Sequence, residues 1–304
     1  MNKFERHIIV NSASSTALTE LSAHCSLSLS VIKQAINKGA LWLTRGNSTQ
    51  RLRRIKKNLQ VQDELHFYYD AEILAQQPPQ AELIADLTHY SVWYKPYGML
   101  SQGSKWSDHC TVSRWAQKHL QPERPAFIVH RLDKAATGLI LIAHSKKAAS
   151  ALSGMFEARA SENIDNKQYP LTKYQLEKAY QIIVHGDHRL RPQPEIITQT
   201  IEGKKARSLF TCHAYNKENN LSLIDVKITT GRKHQIRLHA AEIGFPVVGD
   251  RLHGDQSIEY PEALNLQLCA DSLAFTCPLS GQHQHFNVPE KYKLSLNNVT
   301  TLLS

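Results

Sequence analysis

The stretch that decides the fold of the larger part of the chain is residues 127–143, FIVHRLDKAATGLILIA. It contains two apolar runs, Phe127–Val129 and Leu139–Ala143, which are typical of buried β-strands. Asp133 lies between them, and Gly138 precedes the second run. A carboxylate between two core strands is held rigidly near the surface, which suits a functional site. Taken alone, the stretch equally allows an Asp that only caps a turn.

Segments rich in β-branched and alternating residues lie on both sides of this stretch. They include SVWYKP from Ser91, YQIIVHG from Tyr180 and SLIDVKITT from Ser222. One segment, KKAASALSGMFEAR at residues 146–159, has the pattern of a clear helix. The polar residues 161–174 predict a surface insertion. The region from residue 80 to residue 304 is therefore predicted to be an α+β domain with a mixed, largely antiparallel central sheet.

The N-terminal region has a different local pattern. The segment SLSLSVIKQAINKGA predicts a helix that is capped by Ser28 or Ser30 and ends at Gly39. A short strand at Leu41 and Leu43, a turn at Gly46-Asn47 and a second strand in LQVQDELHFYYD follow. These elements predict a small α/β module that precedes the larger domain.

The segment AEILAQQPPQAELI follows the module. Pro78 and Pro79 restrict their own backbones and those of their predecessors, so this segment is predicted to be a semi-extended linker.

The chain is basic, and the charge is concentrated near the N-terminus. The 304 residues carry 36 Lys and Arg against 27 Asp and Glu, a formal net charge of +9. Residues 31–60 contain eight basic residues and no acidic one. This excess favours a polyanionic partner such as nucleic acid, although a modestly basic soluble protein and a solvated basic face are the alternatives.

The remaining composition restricts the compartment. The five cysteines are scattered and form no C-x-x-C pair, which predicts reduced thiols rather than disulfides or a zinc site. The N-terminus has no signal-peptide core, and no stretch approaches the roughly 20 apolar residues that span a bilayer. We therefore expect a cytoplasmic protein, soluble and monomeric.

The segment around Asp133 resembles the active-site motif of the RluA-type pseudouridine synthases. That motif reads His-Arg-Leu-Asp, two variable residues, then Thr-Ser-Gly, and this chain has His130-Arg131-Leu132-Asp133 followed by Ala136-Thr137-Gly138. The first hydroxyl of the family motif is therefore absent, and the second belongs to a Thr.

Further segments match the same family in the expected order. YKPYGMLSQ from Tyr94 is similar to the family's Asn-Lys-Pro-x-Gly strand and turn, and EKAYQIIVHG from Glu177 is similar to its Lys-x-Tyr strand. TGRKHQIRLHAAEIGFPVVGDRLHG from Thr230 is similar to the long Gly-Arg-x-His-Gln-x-Arg signature, and LCADSLAFTCPLSG to the closing hairpin. The resemblance spans about residues 85–290 and implies a pseudouridine synthase fold over residues 80–304.

The resemblance implies that the protein isomerises uridine to pseudouridine in RNA, with Asp133 as the catalytic carboxylate. The reaction breaks the bond from ribose to the base nitrogen and rejoins the ring through carbon five. A carboxylate stabilises or traps the electron-poor sugar, or it removes a ribose proton to give a glycal; the sequence leaves both open. Since no net oxidation occurs and no group is lost, no metal and no cofactor is expected.

The same resemblance implies roles for other residues. Arg237, expected on a strand from Gly231 to His239, is the fixed cation that keeps the carboxylate ionised. Tyr180 corresponds to the tyrosine that stacks on the flipped base or helps to remove the proton from carbon five. Arg131 corresponds to the arginine that fills the space left by the base. The residues expected to support the pocket or contact phosphate are Arg232, His234 and Gln235.

The N-terminal module, residues 15–72, resembles the small RNA-binding fold first known from a small-subunit ribosomal protein, the S-four fold. The residues expected to contact RNA are Arg51, Arg53, Arg54, Lys56 and Lys57. A module of this type before the catalytic domain is common among enzymes that act on large-subunit ribosomal RNA. Ribosomal RNA is therefore the favoured substrate, with tRNA as the alternative.

Two other enzyme classes are excluded by the residues, and one rival remains. A kinase-like loop fails because Leu132 separates Arg131 from Asp133 and the chain has no Asp-Phe-Gly. A metal hydrolase lacks the H-E-x-x-H pattern. The rival is a synthase relative that binds RNA without catalysis. This rival is favoured by two departures from the family motifs, the Ala136-Thr137 pair and Tyr94 in place of the Asn. The presence of Asp133, Tyr180 and Arg237 together argues against it.

Overall fold

The computed structural model describes residues 2–12, 15–161 and 175–303. The chain divides into two compact units: Met1–Pro79 with Gln102–Lys118, and Gln80–Ser101 with His119–Ser304. The sequence-based boundaries, 15–72 and 80–304, differ from this division in two respects. The first unit also contains the N-terminal strand, and it incorporates a segment, residues 102–118, that lies within the range expected for the catalytic domain. Most of the predicted surface insertion, residues 162–174, lies outside the described residues.

The first unit has a four-stranded antiparallel sheet in the order β1-β4-β2-β3. Its strands are β1 (Lys3–Ile9), β2 (Leu41–Arg45), β3 (Ser48–Arg51) and β4 (Glu64–Asp70). Its helices are α1 (Ala17–His24), α2 (Leu29–Asn37), α3 (Ala71–Ala75) and α4 (Val112–His119), the last of which ends at the unit boundary. Apolar residues of α2, β2 and β4 form the core, including Ile32, Ile36, Leu41, Leu43, Leu65 and Phe67.

The predicted helix of this unit is confirmed. Ser28, rather than Ser30, is the N-cap of α2, since its hydroxyl accepts a hydrogen bond from the backbone N–H of Val31 at 3.4 Å. The helix exits through Gly39, whose φ of +90° favours glycine.

The predicted linker is shorter than the sequence suggested. Its first five residues form α3, because the Asp70 carboxylate caps that helix by accepting from the backbone N–H of Ile73 at 3.0 Å. Its last residues enter strand β5 (Glu82–Asp86), which pairs with the following strand. Only residues 76–81, which include Pro78 and Pro79, lie outside helix and strand.

The second unit is built on a ten-stranded sheet, and the prediction of a mixed, largely antiparallel sheet is confirmed. The main path runs β10-β11-β12-β9-β13-β8-β6-β5, and β7 and β14 pair with β8 and β13. Among the strands of the described residues, β8 and β13 form the only parallel pair. The remaining strands are β6 (Tyr90–Lys95), β7 (Phe127–Ile128), β8 (Thr137–Ala143), β9 (Glu177–His185), β10 (Glu195–Ile197), β11 (Ser208–Asn216), β12 (Leu221–Ile228), β13 (Leu268–Thr276) and β14 (His283–Asn287). The apolar run Leu139–Ala143 of β8 is buried at the centre of this sheet.

The second unit holds more helix than the single predicted one. The segment at 146–159 lies in α5 (Lys146–Ser161) as expected, and α6 (Gln235–Glu242) and α7 (Leu296–Leu303) are additional. The expectation of a strand from Gly231 to His239 is therefore wrong. Buried positions 235, 236, 237, 239 and 240 follow a helical face, and the Gln235 side chain closes the turn before α6 by accepting from the backbone N–H of Arg232 at 3.1 Å. Within the described part of the chain, no helix combines the length and apolarity needed to cross a membrane.

Candidate active site

Asp133 lies on the loop that joins β7 to β8, and Ser101 fastens this loop. The buried Ser101 hydroxyl donates to the carbonyl of Leu132 at 2.7 Å and accepts from the backbone N–H of the same residue at 3.0 Å. The backbone N–H of Gly98 donates to the carbonyl of Lys134 at 2.9 Å. The residues on both sides of Asp133 are therefore bound to the YKPYGMLSQ segment, which explains why these two motifs occur together.

Lys95 of the same segment is fully buried beneath the loop. Its ammonium donates to the carbonyls of Met99 at 2.9 Å, Pro96 at 3.1 Å and Lys134 at 3.4 Å. Burial lowers the pKa of Lys95 to about 7, while the charge of Asp133 opposes the shift. Lys95 thus ties the two strand exits together from inside the fold.

His130 secures the other end of the loop. Its Nε2 accepts a hydrogen bond from the backbone N–H of Leu141 at 3.0 Å, so the proton of the neutral ring resides on Nδ1. Burial, with a smaller contribution from the charge of Lys178, lowers the pKa of His130 well below its ordinary value. The histidine of the motif is therefore a neutral structural group that attaches the loop to β8.

Gly138 permits the close approach of β8 to β13. A Cβ at this position would lie 2.4 Å from the backbone N and O of Ala270, and φ is +111°. The neighbouring Thr137 hydroxyl donates to the carbonyl of Leu268 at 3.3 Å, and Ala136 is buried. The departure from the family motif thus places one hydroxyl against the backbone of β13 and a small side chain in the core.

Arg237 of α6 joins Asp133 to a second, buried carboxylate. Its Nε and Nη2 donate to the two oxygens of Asp250 at 2.7 and 2.6 Å, and its Nη1 lies 3.4 Å from Oδ2 of Asp133. Asp250 is 2% exposed, whereas the Asp133 side chain is 28% exposed. The arginine is therefore oriented by the buried carboxylate and presents its third nitrogen to the accessible one.

Arg237 and Asp250 stabilise each other's charges. Burial by itself favours the neutral form of Arg237, but its ion pairs with Asp250 and Asp133 raise its pKa above the ordinary value. Burial likewise acts to raise the pKa of Asp250, yet hydrogen bonds from Arg237 and from two backbone N–H groups hold it below the ordinary value. A permanent positive charge consequently faces Asp133.

Two histidines flank Asp133 on its other side. His234 Nε2 lies 3.8 Å from Oδ1 of Asp133, and His234 Nδ1 lies 2.7 Å from Nε2 of His253. Both rings border a cavity of about 730 Å³. The rest of its lining combines polar and apolar side chains, among them Gln199, Ile201, Glu202, Lys233, Leu238 and Leu252.

The other residues predicted from this signature occupy distinct positions. Gln235 is buried, and its amide donates to the carbonyl of Arg207 and the hydroxyl of Ser208, each at 3.0 Å. The Arg232 Nε donates to the carbonyl of Lys205 at 3.0 Å. Arg131 is exposed, and its guanidinium forms no hydrogen bond or ion pair with the described residues. Gln235 and Arg232 thus have intramolecular partners, whereas Arg131 is accessible.

Tyr180 is on β9, two strands away from the start of β8. Cys269 of β13 pairs with Thr137 on one side and with Gln181 on the other, which places Tyr180 about two strand spacings, roughly 10 Å, from β8. Its side chain is 7% exposed. The structure thus brings Asp133, Arg237 and His234 into direct proximity, with Tyr180 at the same region of the sheet.

The basic residues predicted to contact RNA divide into two groups. Arg51 and Arg53 are both paired with Asp108, and they also donate to the carbonyls of Ser104 at 2.7 Å and Asn37 at 3.0 Å. Arg54 and Lys56 are exposed and form no ion pair within the described residues, and Lys57 is half-buried. The contacts of the first two therefore do not support a role in RNA binding.

Several residues that shape this site were not predicted from the sequence. Asp250, His253, Ser101 and His130 had no assigned role, although all four lie in matched motifs. The signal that could have revealed Asp250 is the Gly-Asp that follows the apolar Val-Val pair, since a carboxylate close to core residues needs a cation.

Comparisons with known proteins agree with the geometry. The family model for RNA pseudouridylate synthase matches residues 89–242. The dual-specificity RNA pseudouridine synthase RluA of Salmonella typhimurium is 30% identical over 228 residues, which cover 71% of this chain and 97% of that protein. The protein of the same name from Escherichia coli K12 is 29% identical over 224 residues, with the same two coverages, 71% and 97%.

A solved structure supports the fold alone. The human RNA pseudouridylate synthase domain containing 1 has a TM-score of 0.55 at 19% identity, and the match covers 75% of this chain and 97% of that one. The match to the family model, together with the coverage of the Salmonella relative, shows the family. The chain is an RNA isomerase that belongs to the RNA pseudouridylate synthase family, of the RluA type.

Proposed function

We propose that this enzyme converts specific uridines of structured ribosomal RNA to pseudouridine, with Asp133 as the carboxylate that acts on the ribose. The observation that carries the proposal is the position of the Asp133 carboxylate. It is accessible, and its Oδ2 is 3.4 Å from an arginine already fixed by a buried aspartate. A carboxylate so placed faces a fixed positive charge and is available to a ribose that enters from solvent.

The chemistry asks three things of this group. It must stay ionised when the base excludes water, which the charge of Arg237 favours. Its two oxygens must not both be bound by Arg237, and the single contact from Nη1 to Oδ2 leaves Oδ1 without a bond to the arginine. It must also be rigid, and the hydrogen bonds of Leu132 and Lys134 on either side satisfy that condition.

We propose the remaining roles on similar grounds. Arg131 is exposed two residues before Asp133, so it is placed to occupy the gap that an extruded base leaves in the RNA. Tyr180 supplies an aromatic face and a hydroxyl for the flipped base. The Nε2 of His234 lies 3.8 Å from Oδ1 of Asp133, which places this ring beside the carboxylate. Gln235 and Arg232 support the turn before α6.

The N-terminal unit is proposed to be an S-four-like RNA-binding module. Its support is the order of α2, β2 and a basic loop, with Arg54 and Lys56 exposed on that loop. Such a module before this catalytic domain favours ribosomal RNA over tRNA. Phosphate contacts from exposed lysine and arginine make the binding dependent on salt.

The test uses unmodified transcripts of bacterial ribosomal RNA and of tRNA. Each is incubated with the wild type and with Asp133→Asn, and pseudouridine is mapped by chemical adduct stops. We expect product in ribosomal RNA and at least a roughly thousandfold slower reaction for Asp133→Asn, which keeps the shape but removes the charge. Product in tRNA alone would overturn the proposal that ribosomal RNA is the substrate. Undiminished product from Asp133→Asn would overturn the proposed role of the carboxylate.

A further inference from the structure

The imidazoles of His234 and His253 form a pair that ends at Asp133. His234 Nδ1 and His253 Nε2 are 2.7 Å apart, a hydrogen-bond distance, and His234 Nε2 is 3.8 Å from Oδ1 of Asp133. Arg237 contacts the other oxygen, Oδ2. The carboxylate is therefore flanked on its two oxygens by two different groups.

One buried carboxylate, Asp250, places both of these groups. Its oxygens bind the guanidinium of Arg237, and its Oδ1 also accepts from the backbone N–H of His253 at 3.0 Å. His253 then contacts His234, whose backbone is in the left-handed region with φ of 55° at the start of α6. The position of the histidine pair is thus built into the same network that orients the arginine.

Burial is the main reason that both rings of the pair stay neutral. Burial lowers the pKa of His234, and the charges of Arg237 and Lys233 act in the same direction, while Asp133 and Asp250 oppose them. The pKa of His253 is also lowered, first by burial and then by Arg237 and His234, against Asp250 and Asp133. Each ring therefore carries one N–H at neutral pH.

Only one arrangement of these protons suits Asp133. If His253 Nε2–H donates to His234 Nδ1, the remaining proton of His234 is on Nε2 and points toward the carboxylate. If His234 Nδ1–H donates instead, a bare nitrogen lone pair faces the negative charge, which is repulsive. The carboxylate thus favours the Nε2–H tautomer of His234, and a hydrogen bond donated by His253 to Nδ1 fixes that same tautomer.

We propose that His234 is a positioning residue for Asp133 and that His253 acts through it by fixing its tautomer. The proposal rests on the proposed role of Asp133. The N–H of His234 attracts Oδ1 while Arg237 holds Oδ2, so the carboxylate plane is set with one oxygen toward the ribose. A neutral donor does this without the second positive charge that would weaken the carboxylate as a nucleophile or base.

The kinetic test compares two substitutions of His253. His253→Phe keeps the ring shape and removes the donor, whereas His253→Gln keeps an N–H that reaches His234. Tritium release from transcripts labelled at carbon five of uridine measures the reaction, using the ribosomal or transfer RNA that the wild type modifies. We expect His253→Phe to lower kcat about tenfold with KM changed by less than about twofold, and His253→Gln to restore kcat to within about twofold.

The matched control is His185→Phe. His185 is a half-buried histidine of the same unit whose Nε2 lies 2.8 Å from the hydroxyl of Tyr260, and Asp133 is not among the charges that act on it. It should leave kcat and KM unchanged. Wild-type kcat in His253→Phe, or equal losses in His253→Phe and His253→Gln, would overturn the proposal.

A spectroscopic test separates this inference from the proposed function. Imidazole nitrogen-15 NMR of the RNA-free protein reports which nitrogen of His234 is protonated, so it needs no substrate. We expect Nε2–H in the wild type and in His253→Gln, and a mixture of tautomers in His253→Phe. A proton on Nδ1 of wild-type His234 would overturn the inference even if Asp133→Asn is inactive. An active Asp133→Asn together with Nε2–H on His234 would overturn the role of Asp133 instead.

Discussion

Among the described residues, each unit of the molecule contains a cluster of three charged groups made of arginine and aspartate, and the two clusters have opposite stoichiometry. In the second unit, Arg237 is shared by two carboxylates, Asp250 and Asp133. In the first unit, the carboxylate of Asp108 is shared by two arginines, Arg51 and Arg53. In the second unit, Asp133 is therefore only partly paired and remains accessible. In the first unit, two positive charges bind the single carboxylate of Asp108 and hold its loop in place.

The difference shows that the local count of charges does not identify the functional group. Arg51 and Arg53 belong to the most basic stretch of the chain, yet they attach residues 102–118 to the N-terminal sheet. Asp133 has two basic neighbours in the sequence, Arg131 and Lys134, yet its partner in the structure is the distant Arg237, and it is the accessible member of that network. The structural role belongs to the buried Asp250 in the second unit and to the carboxylate shared by two arginines, Asp108, in the first.

The largest effect is expected from Asp250→Asn. This change leaves the buried guanidinium of Arg237 without its bidentate partner, which costs about 3–5 kcal/mol in the free energy of unfolding. Activity should fall with it, because Arg237 and His253 both lose their anchor. Urea unfolding and tritium release measure the two effects. Asp187→Asn, whose partner Arg189 is exposed, is the control that should change neither; a stable and active Asp250→Asn would contradict the network.

A matched pair of glycine substitutions sharpens the comparison of the two clusters. Gly138→Ala puts a Cβ 2.4 Å from the backbone of Ala270, which cannot move alone, so a loss of about 2–4 kcal/mol is expected. Gly39→Ala, also at positive φ, meets the side chains of Asp108 and Arg51, which can shift. Thermal unfolding should therefore show a smaller loss for Gly39→Ala, and the reverse order would show that the Asp108 cluster is the more rigid one.

Asp108→Asn tests the structural role of the first cluster. Its two arginines are 14% and 24% exposed, so the loss of a charged partner should cost about 1–3 kcal/mol, less than at Asp250. RNA affinity at low salt should not fall, because a negative charge is removed. Urea unfolding and a filter-binding titration measure both. Weaker RNA binding at unchanged stability would mean that this cluster contacts RNA.

The smallest effect on stability is expected from Arg54→Ala combined with Lys56→Ala. Both side chains are exposed, so the free energy of unfolding should stay within about 0.5 kcal/mol of wild type. The slope of log affinity for ribosomal RNA against log salt should decrease by about 0.7–0.9 for each phosphate that the variant no longer neutralises. Point substitutions suit this test better than deletion of the N-terminal region, which would also remove the partners of residues 102–118. An unchanged slope would place the phosphate-binding residues elsewhere.

Local patterns predicted those elements whose stability is largely local or whose strands are continuous apolar runs. The helix that starts after Ser28 has its cap and its buried face within one segment, and β8 is a continuous apolar run from Leu139 to Ala143. The prediction of a strand at Gly231–His239 was wrong. Ile236 and Leu238 alternate with polar residues, as in a half-exposed strand, but polar residues such as Gln235 and Arg237 are themselves buried. The spacing of apolar and polar residues in the sequence does not by itself distinguish a buried arginine from an exposed one.

The sequence by itself determined the fold class, the family and the identity of the segments that meet at the site, because motif order and apolar runs are properties of the chain. Only the tertiary structure decided which charges are paired. Asp133 and Arg237 are 104 residues apart, and Arg53 and Asp108 are 55 apart, so their contacts arise from packing. Burial makes these pairings necessary, because a charge removed from water requires a partner. The buried Asp250 is therefore paired bidentately with Arg237, and Asp133 is the carboxylate of the network that remains accessible.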